Sequence, residues 1–319
     1  MRSNRKRSTH ASHAGSCVVR NSIACDLIVI ATTRPTFKRE IEMTTNLETS
    51  AAFAAANAAK SKTALFITGA WMHTSSWDKL RSVFEAAGYK TLAPAWPYLE
   101  GNPAELRAHP DKRLGTLTFG KIVDHYAKII DGLDEQPVII GHSMGGLITQ
   151  LLLDRGYGVA GIAMDPGPIA GALPGPVSLL AALPPIFAGP GNSQTITREG
   201  FAKNFANTLN AADQQVAYDD YVVPTPTNIF YQAAGMFGTA VKVRARKQPL
   251  LVISAEHDRT VTPYLAKAIF NIQKKSPART DFHQFADRSH FLAGEKGWEE
   301  VAHYALDWAN EVTAAPSIH

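Results

Sequence analysis

From Thr63 onward, apolar residues fall into two alternating patterns: short unbroken runs, and longer stretches spaced three and four apart. Thr63 to Gly69 is the first short run. Lys90 to Trp96, Val138 to Ile140, Val159 to Met164, Pro249 to Ser254 and Asp281 to Phe285 repeat it. Runs of this length with little polar alternation predict strands buried on both faces, as in a parallel sheet. Between them lie helical faces: Trp77, Leu80, Val83 and Phe84; Phe119, Ile122, Val123, Tyr126, Ile129 and Ile130; Leu147, Ile148, Leu151 and Leu152; Leu265, Ile269 and Ile272; Trp298, Val301, Ala305 and Trp308. Ser75 or Ser76 is placed to cap the first helix, and Thr262-Pro263 the fourth. The alternation predicts an α/β fold with about six parallel strands joined by right-handed crossovers.

The alternation breaks at Gly167. Residues 166–191 hold seven prolines and five glycines among Leu179, Leu180, Leu183, Ile186 and Phe187, and weak helical stretches follow near 197–209 and 211–221. This stretch is too apolar to be a linker, and exposed apolar area of that size needs something to cover. Residues 167–247 therefore read as a cap over the sheet edge, between core segments 46–166 and 248–315. Leu183 and Phe187 are the expected substrate contacts within it.

Candidate chemistry centres on Pro-Val-Ile-Ile-Gly-His-Ser-Met-Gly-Gly, residues 137–146. Strand, tight turn and helix around G-x-S-x-G form the setting in which Ser143 would be an exposed nucleophile. The glycines let strand and helix pass closely, and the Met144 N–H sits at a helix start, where negative charge is stabilised. A second oxyanion donor is expected after strand 63–69. Ala70 N–H is the first candidate and Trp71 the next, although the Trp71 ring is as well suited to lining the pocket. A serine hydroxyl needs a base, and in a parallel sheet catalytic groups stand at the carboxyl ends of strands. Among eleven histidines, His290 follows the last strand, whereas His142 is expected to point away from Ser143. For the acid, Asp258 lies 32 residues before His290. Asp165 and Glu256 also sit near strand ends, and Asp287 reads as a solvated loop charge.

Thr68-Gly-Ala-Trp, Gly-His-Ser-Met-Gly-Gly, Ser-Ala-Glu-His-Asp-Arg-Thr-Val-Thr-Pro and Asp-Arg-Ser-His-Phe-Leu, read together from Thr63 to Glu311, resemble the α/β-hydrolase superfamily. Members usually carry His-Gly where this chain has Thr68-Gly69. The resemblance implies a three-layer fold and a serine hydrolase without metal or cofactor. It would cleave a carboxylic ester of a small, partly apolar substrate through Ser143, Asp258 and His290. An amidase, lactonase, thioesterase or cofactor-free lyase would use much the same residues, and a non-catalytic ligand-binding protein would keep the site without turnover.

Charge refines this picture. The formal charge of +4 comes from residues 1–42, with eight basic and three acidic residues; residues 43–319 carry 24 and 25, a net −1. No basic stripe argues for a nucleic-acid partner. Residues 1–45 read as a disordered or targeting-like extension, followed by an Ala-rich helix or linker at 50–61. Both cysteines, Cys17 and Cys25, lie in the extension, so the body is expected to hold no disulfide and no cysteine-ligated metal. No apolar run approaches the roughly 18 residues of a membrane span, and the expected location is cytoplasmic.

Overall fold

A computed structural model describes residues 62–314. The extension, both cysteines and the Ala-rich stretch at 50–61 lie outside the described residues. The six apolar runs form one sheet: β1 (Thr63–Ile67), β2 (Lys90–Leu92), β3 (Val138–His142), β4 (Ala160–Met164), β5 (Leu250–Ala255) and β6 (Thr280–Phe285). Their order is β2-β1-β3-β4-β5-β6, and every pairing is parallel. β2 stops earlier than the apolar pattern suggests, because Pro94 has no N–H to continue the ladder.

Period-two alternation sorts the strand side chains. Ala64, Phe66, Val138, Ile140, Ile162, Met164, Leu251 and Ile253 face helices α1 (Asp78–Ala86) and, at the chain end, Trp298–Ala314. Leu65, Ile67 and Ile139 face α2 (Phe119–Asp131) and α3 (Met144–Asp154) on the other side. With both faces covered, β1, β3, β4 and β5 are buried throughout. Ser75 and Ser76 do not cap α1. They lie in a 3-10 turn (Thr74–Trp77) whose cap is His73, and Trp77 precedes α1 without a side-chain cap.

The helical cap follows β4. Its first helix, α4 (Pro176–Phe187), forms within the proline-rich stretch: Pro176 occupies the first helical position, where its missing N–H costs nothing. The stretch after Thr197 is a short α-turn running into a π-helical segment, Phe201–Phe205. Then come α5 (Ala211–Tyr221), α6 (Asn228–Gly235) and, back in the core, α7 (Pro263–Gln273) and α8 (Trp298–Ala314). Main-chain bonds join the cap to the loop after β1: Val223 N–H donates to Trp71 O at 2.9 Å and His73 N–H to Tyr221 O at 2.8 Å. Among the described residues, no helix is long and apolar enough to cross a membrane.

The sheet order places a topological switch between β1 and β3, since the chain leaves β1 for β2 on one side and adds β3 on the other. Crevices outside the carboxyl ends of strands at such points are where ligands bind in open α/β sheets.

Candidate active site

Ser143 stands immediately after β3 at φ 57°, ψ −123°, a conformation that a non-glycine residue holds only when its surroundings impose it. Here they do. Its N–H donates to Met164 O at 2.9 Å, and its carbonyl accepts from Gly146, Leu147 and Gly167 at 2.9, 3.2 and 2.8 Å. Two glycines make the turn sterically possible. A Cβ on Gly145 would strike the Ile67 carbonyl oxygen, and one on Gly69 would stand 2.6 Å from Ser143 Cβ. The loop after β1 is thus pressed against the turn. Met144 is the first residue of α3, so its N–H has no intrahelical acceptor. No backbone carbonyl among the described residues takes the Ala70 N–H.

Ser143, Met144, Ala70 and Trp71 line one cavity, closed by Phe230 and Leu265 and by Ser178, Leu179, Ala182 and Ile186 from α4. Trp71 is itself at φ 66°; its ring lies 4.9 Å from that of Phe230, and Nε1 donates to Gln194 at 3.2 Å. Leu183 and Phe187, the expected contacts, do not line this cavity, and Phe187 is 81% exposed. Once α4 is helical, its inward face is Ser178, Leu179, Ala182 and Ile186, which turns Phe187 outward.

His290 and Asp258 follow β6 and β5 and meet in the interior, both essentially inaccessible to solvent. His290 Nδ1 and Asp258 Oδ2 are 2.5 Å apart, and Asp258 Oδ1 accepts from Thr260 N–H at 2.7 Å and Val261 N–H at 2.8 Å. His290 Nε2 is buried without a hydrogen-bond partner, so no bond to Ser143 Oγ is made in this structure. His290 lines a second, smaller space with Gly69, His142 and Trp77, and Gly69 also packs on the Ser143 turn. Glu256 and Asp287 are exposed and take no part in this cluster.

A sequence profile described as "Alpha/beta hydrolase family" matches residues 64–304, most of the chain, from β1 into α8. The chain belongs to the alpha/beta hydrolase family. No curated protein matches it. Among solved structures it is similar to the monoacylglycerol lipase of Paleococcus ferrophilus, at 18% identity and TM-score 0.58 over 78% of this chain and 94% of that one. Polyneuridine aldehyde esterase is similar at 16% identity and TM-score 0.55, over 78% and 100%. Tomato methylketone synthase I is similar at 13% identity and TM-score 0.58, over 79% and 98%. At these identities the likeness is one of fold.

In this alpha/beta hydrolase, burial dominates the electrostatics of the site. Burial lowers the His290 imidazole from 6.5 to about 3. His142 is held well below 6.5 by burial and then by the neighbouring His290. The two rings are 4.5 Å apart, and His142 also packs edge-on against Trp77 and Phe205. His142, expected to point away from Ser143, thus packs beside His290. Glu295, which no sequence signal marked, is buried and accepts from Ser289 N–H at 2.7 Å and from the Ser289 and Thr208 hydroxyls. It anchors the loop that carries His290. Donor atoms of His142, Asp165 and His290 lie within 4.8 Å of one another. That donor set suits a transition metal, but Asp258 already engages one of the two imidazoles.

Proposed function

We propose that this alpha/beta hydrolase cleaves a carboxylic ester of a small, partly apolar substrate through an acyl-enzyme. The observation that carries the reading is the buried Asp258–His290 pair, taken together with a strained serine turn that lines an apolar cavity. Ser143 Oγ attacks the ester carbonyl while His290 Nε2 takes its proton. Asp258 holds the Nδ1–H tautomer and stabilises the imidazolium. The Ala70 and Met144 N–H groups receive the oxyanion, with the positive end of α3 behind Met144. His290 then returns the proton to the departing alcohol, and water releases the acid by the same steps in reverse. Ser143 and His290 close to bonding distance on substrate binding, since such contacts are often long without ligand. Trp71 and the cap over residues 167–247 shape the acyl site.

A fluorophosphonate probe should label Ser143 covalently, and p-nitrophenyl esters of graded length should be turned over. Labelling without ester turnover, but with activity on amide, lactone or thioester panels, would reassign the bond cleaved; no labelling would leave a ligand-binding protein. The same assay reads the base. A histidine with a lowered pKa stays unprotonated as pH falls, so the acid limb of kcat/KM is expected below 6.5, the ordinary imidazole value. A limb at or above 6.5 would contradict a buried His290 acting as base.

A further inference from the structure

Three side chains at the carboxyl ends of three strands each have a donor atom left over. His142 closes β3, Asp165 follows β4, and His290 lies in the loop after β6. His142 Nε2, Asp165 Oδ2 and His290 Nε2 are buried, and none has a hydrogen-bond partner among the described residues. One donor atom from each of the three residues lies within 4.8 Å of the other two. Buried polar atoms are almost always paired, so three orphans on residues this close call for an explanation.

Each of these side chains is held in place by its other contacts. Asp165 Oδ1 accepts from Ala255 N–H at 2.8 Å, and the Asp165 N–H donates to Ile253 O at 2.8 Å. His290 Nδ1 is engaged by Asp258 Oδ2, 2.5 Å away. The His142 ring packs against Trp77, Phe205 and His290, with centroids 6.5, 5.9 and 4.5 Å apart. Two imidazoles and one carboxylate, held in fixed orientation, are a donor set that suits a zinc ion with one coordination position left open. An imidazole that ligates such an ion gives its other N–H to a carboxylate or carbonyl, the contact that Asp258 makes with Nδ1. Charge agrees with this. Asp165 and Asp258 are both buried, and together they supply the two negative charges that neutralise a divalent ion out of water. A second trio, Glu256, His257 and Asp287, is exposed and bonds within itself: His257 Nε2 is 3.5 Å from Asp287 Oδ1, and Asp287 N–H donates to Glu256 Oε2 at 3.1 Å. It serves as the control.

We propose that His142, Asp165 and His290 form a binding site for a divalent transition-metal ion of the zinc type, supported from behind by Asp258, and that the ion switches the hydrolase off. His290 offers Nε2, Asp165 offers Oδ2, and His142 offers one imidazole nitrogen. An ion held there takes the Nε2 lone pair of His290, the same pair that accepts the Ser143 proton in the scheme above. Inhibition therefore rests on the esterase reading; the ion site does not.

Two substitutions remove a ligand and keep the shape. In Asp165→Asn the amide oxygen still accepts from Ala255 N–H, while the amide nitrogen replaces Oδ2 and has no lone pair to give; Asn also tolerates the φ of 41° at this position. In His142→Phe a ring remains among Trp77, Phe205 and His290. Equilibrium dialysis of the full-length chain, stripped with chelator and then exposed to zinc, should find one ion per chain fewer in each variant than in wild type. His257→Ala should bind as many ions as wild type. Zinc should inhibit ester turnover and EDTA should restore it, whereas magnesium, which takes oxygen ligands, should leave it unchanged. Asp165→Asn should keep its turnover yet need about a hundredfold more zinc for half-inhibition, since even outer-shell changes cost about 10- to 100-fold in metal affinity. Equal zinc stoichiometry in wild type and both ligand variants, loss of the ion in His257→Ala, an active enzyme indifferent to zinc, or undiminished inhibition of Asp165→Asn would each overturn the inference. If no ester is hydrolysed at all, dialysis still decides whether the ion site exists, so failure of the esterase reading is told apart from failure of this one.

Discussion

Ser143→Ala is expected to abolish ester turnover while the fold and thermal midpoint stay near wild type. The side chain contributes no hydrogen bond to the turn; the bonds that impose φ 57° belong to its backbone N–H and carbonyl and survive the change. What disappears is the proposed nucleophile. In a comparable triad the loss of the serine costs about 10⁶ in kcat, with residual catalysis left to the oxyanion donors and substrate binding. Turnover by purified, catalytically isolated protein and fluorophosphonate labelling should fall together. A variant that keeps more than about a tenth of wild-type kcat, far outside that range, would take the nucleophile role away from Ser143.

Asp258→Asn should be nearly as damaging, at about four orders of magnitude near neutral pH. The amide oxygen can still accept from Thr260 and Val261 N–H, so the loop after β5 has reason to keep its shape. The amide nitrogen then takes the place of Oδ2 and presents hydrogens to His290 Nδ1. The imidazole must turn to the tautomer protonated on Nε2, which cannot accept the Ser143 proton, and the imidazolium loses its counter-charge. Asp165→Asn, at the end of β4, should cost far less. If kinetics on both folded variants gave the opposite ranking, Asp165 would be the residue that orients His290.

Much of the scaffold was legible because its signals are local. An apolar run too short for a helix, bounded by glycine or proline, has few alternatives to a buried strand, and each of the six runs lies in the sheet. The serine turn was legible for the same reason: G-x-S-x-G between such a strand and an apolar helical face describes its own geometry within ten residues. The candidate acid and base were legible less directly, through the rule that functional groups gather at the carboxyl ends of parallel strands. That rule selects positions along the chain but says nothing about which side chains touch.

The cap shows where local signals end. Pro176–Phe187 is helical although it holds three prolines, because Pro176 sits at the first turn and Pro184 and Pro185 near the last. With the helix formed, rotation about its axis decides that Ile186 lines the cavity and Phe187 faces solvent, a difference of one residue that composition does not contain. By itself the sequence determined the alternation of strands and helices, the strained turn at Ser143 and the strand-end positions of Asp258 and His290, all consequences of short-range sterics and periodicity. Only the tertiary structure decided the 2.5 Å contact across 32 residues, the packing of His142 on His290 and the hydrogen bond from Ala255 N–H to Asp165. These depend on which strands become neighbours and on how far water is excluded between them, and both are properties of the assembled sheet rather than of any one segment.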